Sequence, residues 1–326
     1  MNLERLQQLI RTYFIPAIFI LVVVVLGSWI FIFRDKPAEE KFGKLPDVEI
    51  KSVVWDLIKI QSSADRLKIE KPPKTLPVYL KSDPVNINAI AKKLGFAKTA
   101  KKSGKNIDWR EGQKTLNFYT STLIFSYLFK GSIPDGELTE KESVVKAQQI
   151  LSDLSLVDAN TQLKNTKVDR LLIAGRTHPE SVGEGKSFDV YAITFVVDLN
   201  GYKLLYESGT NHLIYVWVDK RGGLRKLSAS TESYRTADKS TYNIKNLGQV
   251  KDDLEKGLGK IVSTDSIFPT RVENVIVDYY KANIGYLAIS KDKYIRPVYL
   301  INGFAETGKF QKSSVKAILP AVQLKD

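Results

Sequence analysis

The chain has 326 residues, 43% hydrophobic and 26% charged, which is enough apolar material for one or two folded domains and excludes wholesale disorder. It contains no cysteine, so disulfides, thiolate metal sites and a cysteine nucleophile are excluded together. Lysine and arginine total 49 against 36 acidic residues, a net +13 that suits nucleic acid, anionic lipid or anionic wall polymer as neighbours.

Residues 12–33 carry no charge, and the run 14–33 (FIPAIFILVVVVLGSWIFIF), opened by Phe14 and closed by Phe33, is almost entirely large and apolar. A helix of that length rises about 30 Å, the thickness of a bilayer's hydrocarbon layer. The run therefore predicts a transmembrane helix, with Pro16 in its first turn and Trp29 towards the far interface. No small-residue cleavage site follows Phe33, so an uncleaved signal anchor is expected instead of a signal peptide. Arg5 and Arg11 precede the run, and Arg34, Lys36, Lys41 and Lys44 follow it. Long downstream domains translocate largely regardless of charge. We therefore expect residues 1–13 to be a cytoplasmic tail and residues 34–326 to lie outside the cytoplasm of a bacterial cell. Those outer residues hold +12 of the +13 surplus. Close to a membrane, such a surplus needs no nucleic acid to account for it, and none is expected as a partner.

Residues 34–74 read as a juxtamembrane stalk and linker, punctuated by Pro37, Gly43 and Pro46 and broken again at EKPPKTLP. A first small unit is expected at 75–130. It has a helix at 87–94 capped by the residues before it and ended by Gly95, a strand at 107–109, and one long strand at 115–128. A second, larger unit is expected at 138–326. Thr139 lies three residues before Glu142, a capping-box start for a helix at 140–151 with Val144, Val145, Gln148 and Leu151 near one face. Strands follow at 168–174, 188–199, 202–207 and 213–219. The last turns through Lys220-Arg221-Gly222-Gly223 into 224–227. A short helix at 252–257, paired strands at 272–280 and 294–304, and a last strand at 315–319 complete the order. Antiparallel strands with helices set between them predict an α+β class, with the helix-then-hairpin order occurring in two similar units.

The helix pattern of Ala147, Ile150, Leu151 and Leu154, the hairpin V-D-K-R-G-G, the strand V-I-V-D-Y-Y and the phrase Y-I-R-P-V-Y-L-I-N-G-F together resemble the YycH/YycI regulatory proteins, over roughly residues 140–304. Those are membrane-anchored proteins of Gram-positive bacteria whose outer domains resemble the PepSY module. The resemblance implies an interaction or inhibitory module acting on a membrane partner such as a sensor kinase or a protease. The upstream unit at 75–130 departs from that pattern.

Residues with recognisable catalytic or metal-binding spacing are few. His178 and His212 are the only histidines, they lack metal-like spacing to other ligands, and both read as surface residues of loops and strand ends. The stretch Gly183-Glu184-Gly185-Lys186-Ser187 lacks the first glycine of a phosphate loop, because Glu180 stands there, and it reads as an exposed turn. Adjacent acids at Asp252, Asp253 and Glu255, and at Glu137, Glu140 and Glu142, read as solvated helix faces. No catalytic residue, cofactor or metal is assigned. A basic cluster of Lys92, Lys93, Lys98, Lys101, Lys102 and Lys105 is a candidate patch for anionic lipid or wall polymer. Tyr294, Arg296 and Tyr299 combine aromatic area with a forked donor and are the candidate partner-binding residues. The expectation is thus a non-enzymatic, membrane-anchored extracytoplasmic binding and regulatory module with a membrane or envelope protein as partner. The alternative is an envelope enzyme or polymer-binding protein acting on anionic cell-wall glycans.

Overall fold

Helices start where the sequence supplies caps. In the computed structural model, which describes residues 59–157, 161–173, 178–206, 209–264, 274–289, 292–307 and 311–323, there are three helices. The chain divides into two units, Met1–Leu45 and Pro46–Asp326, and every described residue belongs to the second. Helix α1 (Ile87–Lys93) begins at Asn86, whose side chain accepts a hydrogen bond from the Asn88 amide at 2.9 Å. Helix α2 (Glu140–Asp153) carries the capping box: the Glu142 amide donates to Thr139 Oγ1 at 3.3 Å, and the Thr139 amide donates to the Glu142 carboxylate at 2.8 Å. Bonds from Thr139 hold the Glu142 carboxyl below its usual range. Helix α3 (Leu247–Glu255) repeats the device with Asn246 and Gln249. It starts five residues before the predicted 252–257 segment.

The strands in chain order are β1 (Lys59–Ser63), β2 (Lys68–Ile69), β3 (Thr75–Ser82), β4 (Lys101–Ser103), β5 (Asn106–Glu111), β6 (Lys114–Tyr119), β7 (Ile124–Phe129), β8 (Thr161–Leu172) and β9 (Glu180–Val182). They continue with β10 (Val190–Leu199), β11 (Tyr202–Tyr206), β12 (Leu213–Asp219), β13 (Leu224–Ser230), β14 (Ser233–Asn243), β15 (Lys260–Thr264), β16 (Asn274–Ala288), β17 (Tyr294–Thr307) and β18 (Gln311–Pro320). The predicted long strand at 115–128 is a hairpin of β6 and β7. Its corner is the polar trio Thr120-Ser121-Thr122 followed by Leu123 at φ 55, a left-handed residue that no continuous strand accommodates.

The expected α+β class is corrected. Strands make up 55% of the described residues and helices 13%, and the strands join into one large mixed sheet. The mixing comes from β16. One edge pairs antiparallel with β17, as expected of the segments near 272–280 and 294–304, and β17 pairs onward with β18 and β18 with β15. The other edge is tiled end to end by three short strands, β1, β2 and β11, all parallel to it. A strand of 15 residues leaves a long row of unpaired amides and carbonyls, and short segments brought from elsewhere satisfy them. Two of those segments, β1 and β2, come from residues expected to be stalk and linker. The stretches expected as separate units are also joined, because β7 pairs antiparallel with β13.

A second run is antiparallel throughout, in the order β9-β8-β10-β12-β13-β7-β6-β5-β4. Its inner face is apolar: Leu116, Phe125, Leu227, Val216, Ile193 and Phe195 are all fully buried. Helix α2 lies across β8, β10 and β12 on this face with Ser143, Ala147, Leu151 and Leu154, where two small side chains let the helix approach closely. Of the four residues expected near one face of this helix, Leu151 is buried and Val144 half-buried, whereas Gln148 is exposed and Val145 is 60% exposed. Phe96, just beyond α1, meets Tyr127 edge-on at 6.2 Å. Among the described residues no helix is long and apolar enough to cross a membrane, and the span expected at residues 14–33 lies outside them.

Candidate functional site: the open face of the antiparallel run

A strand shows alternate residues to opposite faces, so a sheet packed on one face presents a second face in register. Two rows of side chains cross this second face. One runs Thr115, Leu128, Lys226, Trp217, Ala192, Asp169. The next runs Asn117, Ser126, Ser228, Tyr215, Thr194, Lys167. The residues of both rows are half-buried except for Tyr215 and Lys167, which are exposed. Thr115, Asn117, Ser126, Ser228 and Thr194 give this floor short hydroxyl and amide side chains. Leu213, Tyr215 and Trp217 form a ladder along β12, and three hollows border it. One of about 770 Å³ lies over β6, β7 and β13 and includes Lys130, Trp217, Arg225 and Lys226. One of about 580 Å³ lies towards β8 and β10 and includes Lys167, Lys203 and the ladder. One of about 390 Å³ lies between the ladder and Ser228 and Ser230, beside Tyr206. Adjacent hollows share ladder residues, Trp217 between the first two and Leu213 and Tyr215 between the last two, so the three lie side by side along β12 and are treated together as the groove of this face.

A buried clasp builds the wall of the largest hollow. The turn Lys220-Arg221-Gly222-Gly223 returns β12 into β13, and Asp219 accepts from the amides of Arg221 at 3.0 Å and Gly223 at 2.8 Å. Its other oxygen accepts from Arg225 Nε at 2.7 Å. Arg225 also donates to the carbonyls of Gly131 and Ser132 at 3.0 and 2.7 Å, and its guanidinium lies 4.8 Å from the Phe129 ring centroid. The 129–133 loop is thereby fixed to the hairpin. Beside it, Lys226 Nζ sits 4.5 Å over the Trp217 ring, which holds an ammonium at the groove surface.

The acids of the groove are engaged by the fold. Asp219 is held by Arg225, Asp169 by Lys167 at 2.8 Å, and Asp189 accepts from the Ile173 amide at 2.6 Å. Asp198, at the β10–β11 hairpin, is pushed up by burial, an effect opposed by Lys164 and Lys203. Four lysines, Lys130, Lys167, Lys203 and Lys226, line the groove, which is basic overall. Among the described residues no group of three or more acid or histidine side chains is placed to hold a metal ion.

The residues singled out in the sequence lie elsewhere. Tyr299 is fully buried and its hydroxyl donates to the Lys245 carbonyl at 2.5 Å; Arg296 is buried and pairs with Asp292 at 2.5 Å. Tyr294 is half-buried. The three do not share an exposed surface, because Tyr294 and Arg296 alternate to one face of β17 and Tyr299 to the other, and both Arg296 and Tyr299 are buried. Lys92, Lys93, Lys98, Lys101, Lys102 and Lys105 are all exposed. Lys93 bonds to the Asp153 carbonyl and Ser155 Oγ and ties α1 to the end of α2, while Lys101 and Lys102 lie on β4, the terminal strand of the run, where charge guards an open edge. His178 is exposed, as expected. His212 is not: it is 3% exposed, 4.6 Å from the Tyr206 ring, and burial pushes its pKa down to about 4. It directly precedes β12 and points to the same inner side as Ile214 and Val216, which is the physical reason. Glycines 183 and 185 lie in an exposed turn.

Sequence reasoning missed Tyr215, Trp217 and Lys226. The signal was in Leu213 to Asp219, where Leu, Tyr and Trp alternate with Ile and Val at period two. No family model matches the chain, and no curated protein matches it.

Proposed function

We propose that this chain is a non-enzymatic binding module, tethered to a bacterial cell membrane by residues 14–33 with its C-terminal part outside the cytoplasm, that regulates a membrane or envelope protein by holding a segment of it on the open sheet face. The carrying observation is the groove itself: a solvent-open face specified by side chains from six strands, with an aromatic ladder, a floor of short polar residues and a fixed wall. Its acids serve ion pairs and backbone amides, which suits holding a ligand better than acid–base chemistry. The resemblance of the Tyr294 phrase to YycH/YycI regulators points the same way. The wall-glycan alternative draws on Tyr215, an aromatic residue that is 42% exposed beside Ser228 and Thr194.

A photo-crosslinking residue placed at Tyr215 or Ser228 of the full chain in intact membranes tests the proposal, with Val145 on the far side of the sheet as control. Capture of one membrane or envelope protein from the groove positions and not from Val145 supports it. Equal capture at all three positions, or glycan turnover by the purified protein, overturns it. Protease protection of residues 34–326 in intact cells would overturn the topology separately.

A further inference from the structure

The groove's partner has a readable chemistry, and this inference rests on the function proposed above. Leu213, Tyr215 and Trp217 repeat every second residue, roughly 6.8 Å apart, which is also the repeat of same-side side chains in an extended polypeptide. Lys226 is the cross-strand neighbour of Trp217 at one end of the ladder. At the other end, Leu213 faces Val196, and Lys203 faces Asp198, two residues further along the same strand. Six residue steps of about 3.3 Å separate the two lysine positions along the strand direction, roughly 20 Å in all.

We propose that the groove binds an extended acidic segment of a protein partner running along β12, with carboxylates at its first and seventh residues meeting Lys226 and Lys203 and apolar side chains at its third and fifth residues lying against Tyr215 and Leu213. Residues one, three, five and seven of an extended chain share one face, so a single strand satisfies all four contacts. Charge complementarity favours an anionic occupant, because Lys130, Lys203 and Lys226 line the groove in addition to the Lys167–Asp169 pair, and Asp189 accepts from a backbone amide. A peptide fits better than a sugar chain at Trp217, because the Lys226 ammonium already covers a face of the indole on which a pyranose would stack.

The test uses the full chain in detergent and fluorescein-labelled seven-residue peptides read by anisotropy. The reference peptide carries Glu at the first and seventh positions and Leu at the third and fifth. Its glutamine counterpart and a version with the second acid moved to the sixth position should each bind several-fold more weakly. Lys226→Gln and Lys203→Gln should each weaken the reference peptide about 2- to 5-fold, the range of exposed ion pairs. Raising salt should weaken it as well, a measurement on the unaltered protein that does not depend on any variant folding. Equal binding of the glutamine or shifted peptides, or affinity indifferent to salt, overturns this inference. If the Tyr215 crosslinker captures a protein whose contacting segment lacks acids, the function stands and the acidic-segment inference falls; if it captures no protein and no peptide binds, both fall.

Discussion

Truncating Asp219 to alanine removes one half of a buried ion pair and leaves the other half in place. Asp219 and Arg225 are 2% and 5% exposed, so neither charge has bulk water to fall back on. Removing one member of such a pair typically destabilises by about 3–5 kcal/mol, because the surviving charge is buried without compensation. Arg225 would keep the Gly131 and Ser132 carbonyls and the Phe129 ring, which places the expected loss near the lower end, about 3 kcal/mol. In a domain of this size that corresponds to a fall in Tm of roughly 6–12 °C. Thermal unfolding of the full chain, followed by tryptophan fluorescence, measures it. Replacing both partners, Asp219→Ala with Arg225→Met, should recover part of the loss, since no charge is then stranded. A single variant within about 2 °C of the parent, or a double variant less stable than the single one by several degrees, would refute the clasp argument.

Other perturbations are equally specific. Stability should depend on pH through His212: its folded pKa of about 4 lies below the ordinary 6.5, so the unfolded chain binds the extra proton. That stability is fully present above about pH 6.5 and is lost as pH falls towards 4, by up to roughly 3 kcal/mol, and His212→Leu should flatten the slope in urea titrations across this window. Tyr299→Phe removes the hydroxyl bonded to the Lys245 carbonyl and should lower unfolding free energy by about 1 kcal/mol in the same assay. Gly303→Ala would place a Cβ 2.8 Å from Tyr279 Cδ1 and 2.9 Å from the Asp278 carbonyl oxygen, so a loss of about 1–3 kcal/mol is expected, whereas Gly104→Ala meets nothing within 4 Å and tests the left-handed φ alone.

Much local structure is written in short stretches of the chain. Asn86, Thr139 with Glu142, and Asn246 with Gln249 start their helices through bonds to amides two or three residues away, so the signal is complete within one turn. The Lys220 to Gly223 turn works in the same way, because Gly222 at φ 85 supplies the left-handed residue that the hairpin demands. The Asn200-Gly201 turn between β10 and β11 has φ values of 51 and 84, the left-handed pair of a two-residue hairpin, and joins the strands near the groove's far end. What the local pattern does not carry is the destination of each face. Period two in β12 separates Leu213, Tyr215 and Trp217 from His212, Ile214 and Val216, yet only the position of α2 decides which set is covered.

The net positive charge, the absence of cysteine, the apolar run at 14–33 and the helix caps were all determined by the sequence alone, because each is a property of composition or of residues within reach of one another. The tertiary structure alone decided that β16 takes three parallel partners from distant parts of the chain, that Arg296, Tyr299 and His212 are interior, and that the basic, aromatic face across six strands stays open. Those outcomes depend on which distant segment fills an unpaired edge or covers an apolar face, a competition among all segments of the chain that no single segment records.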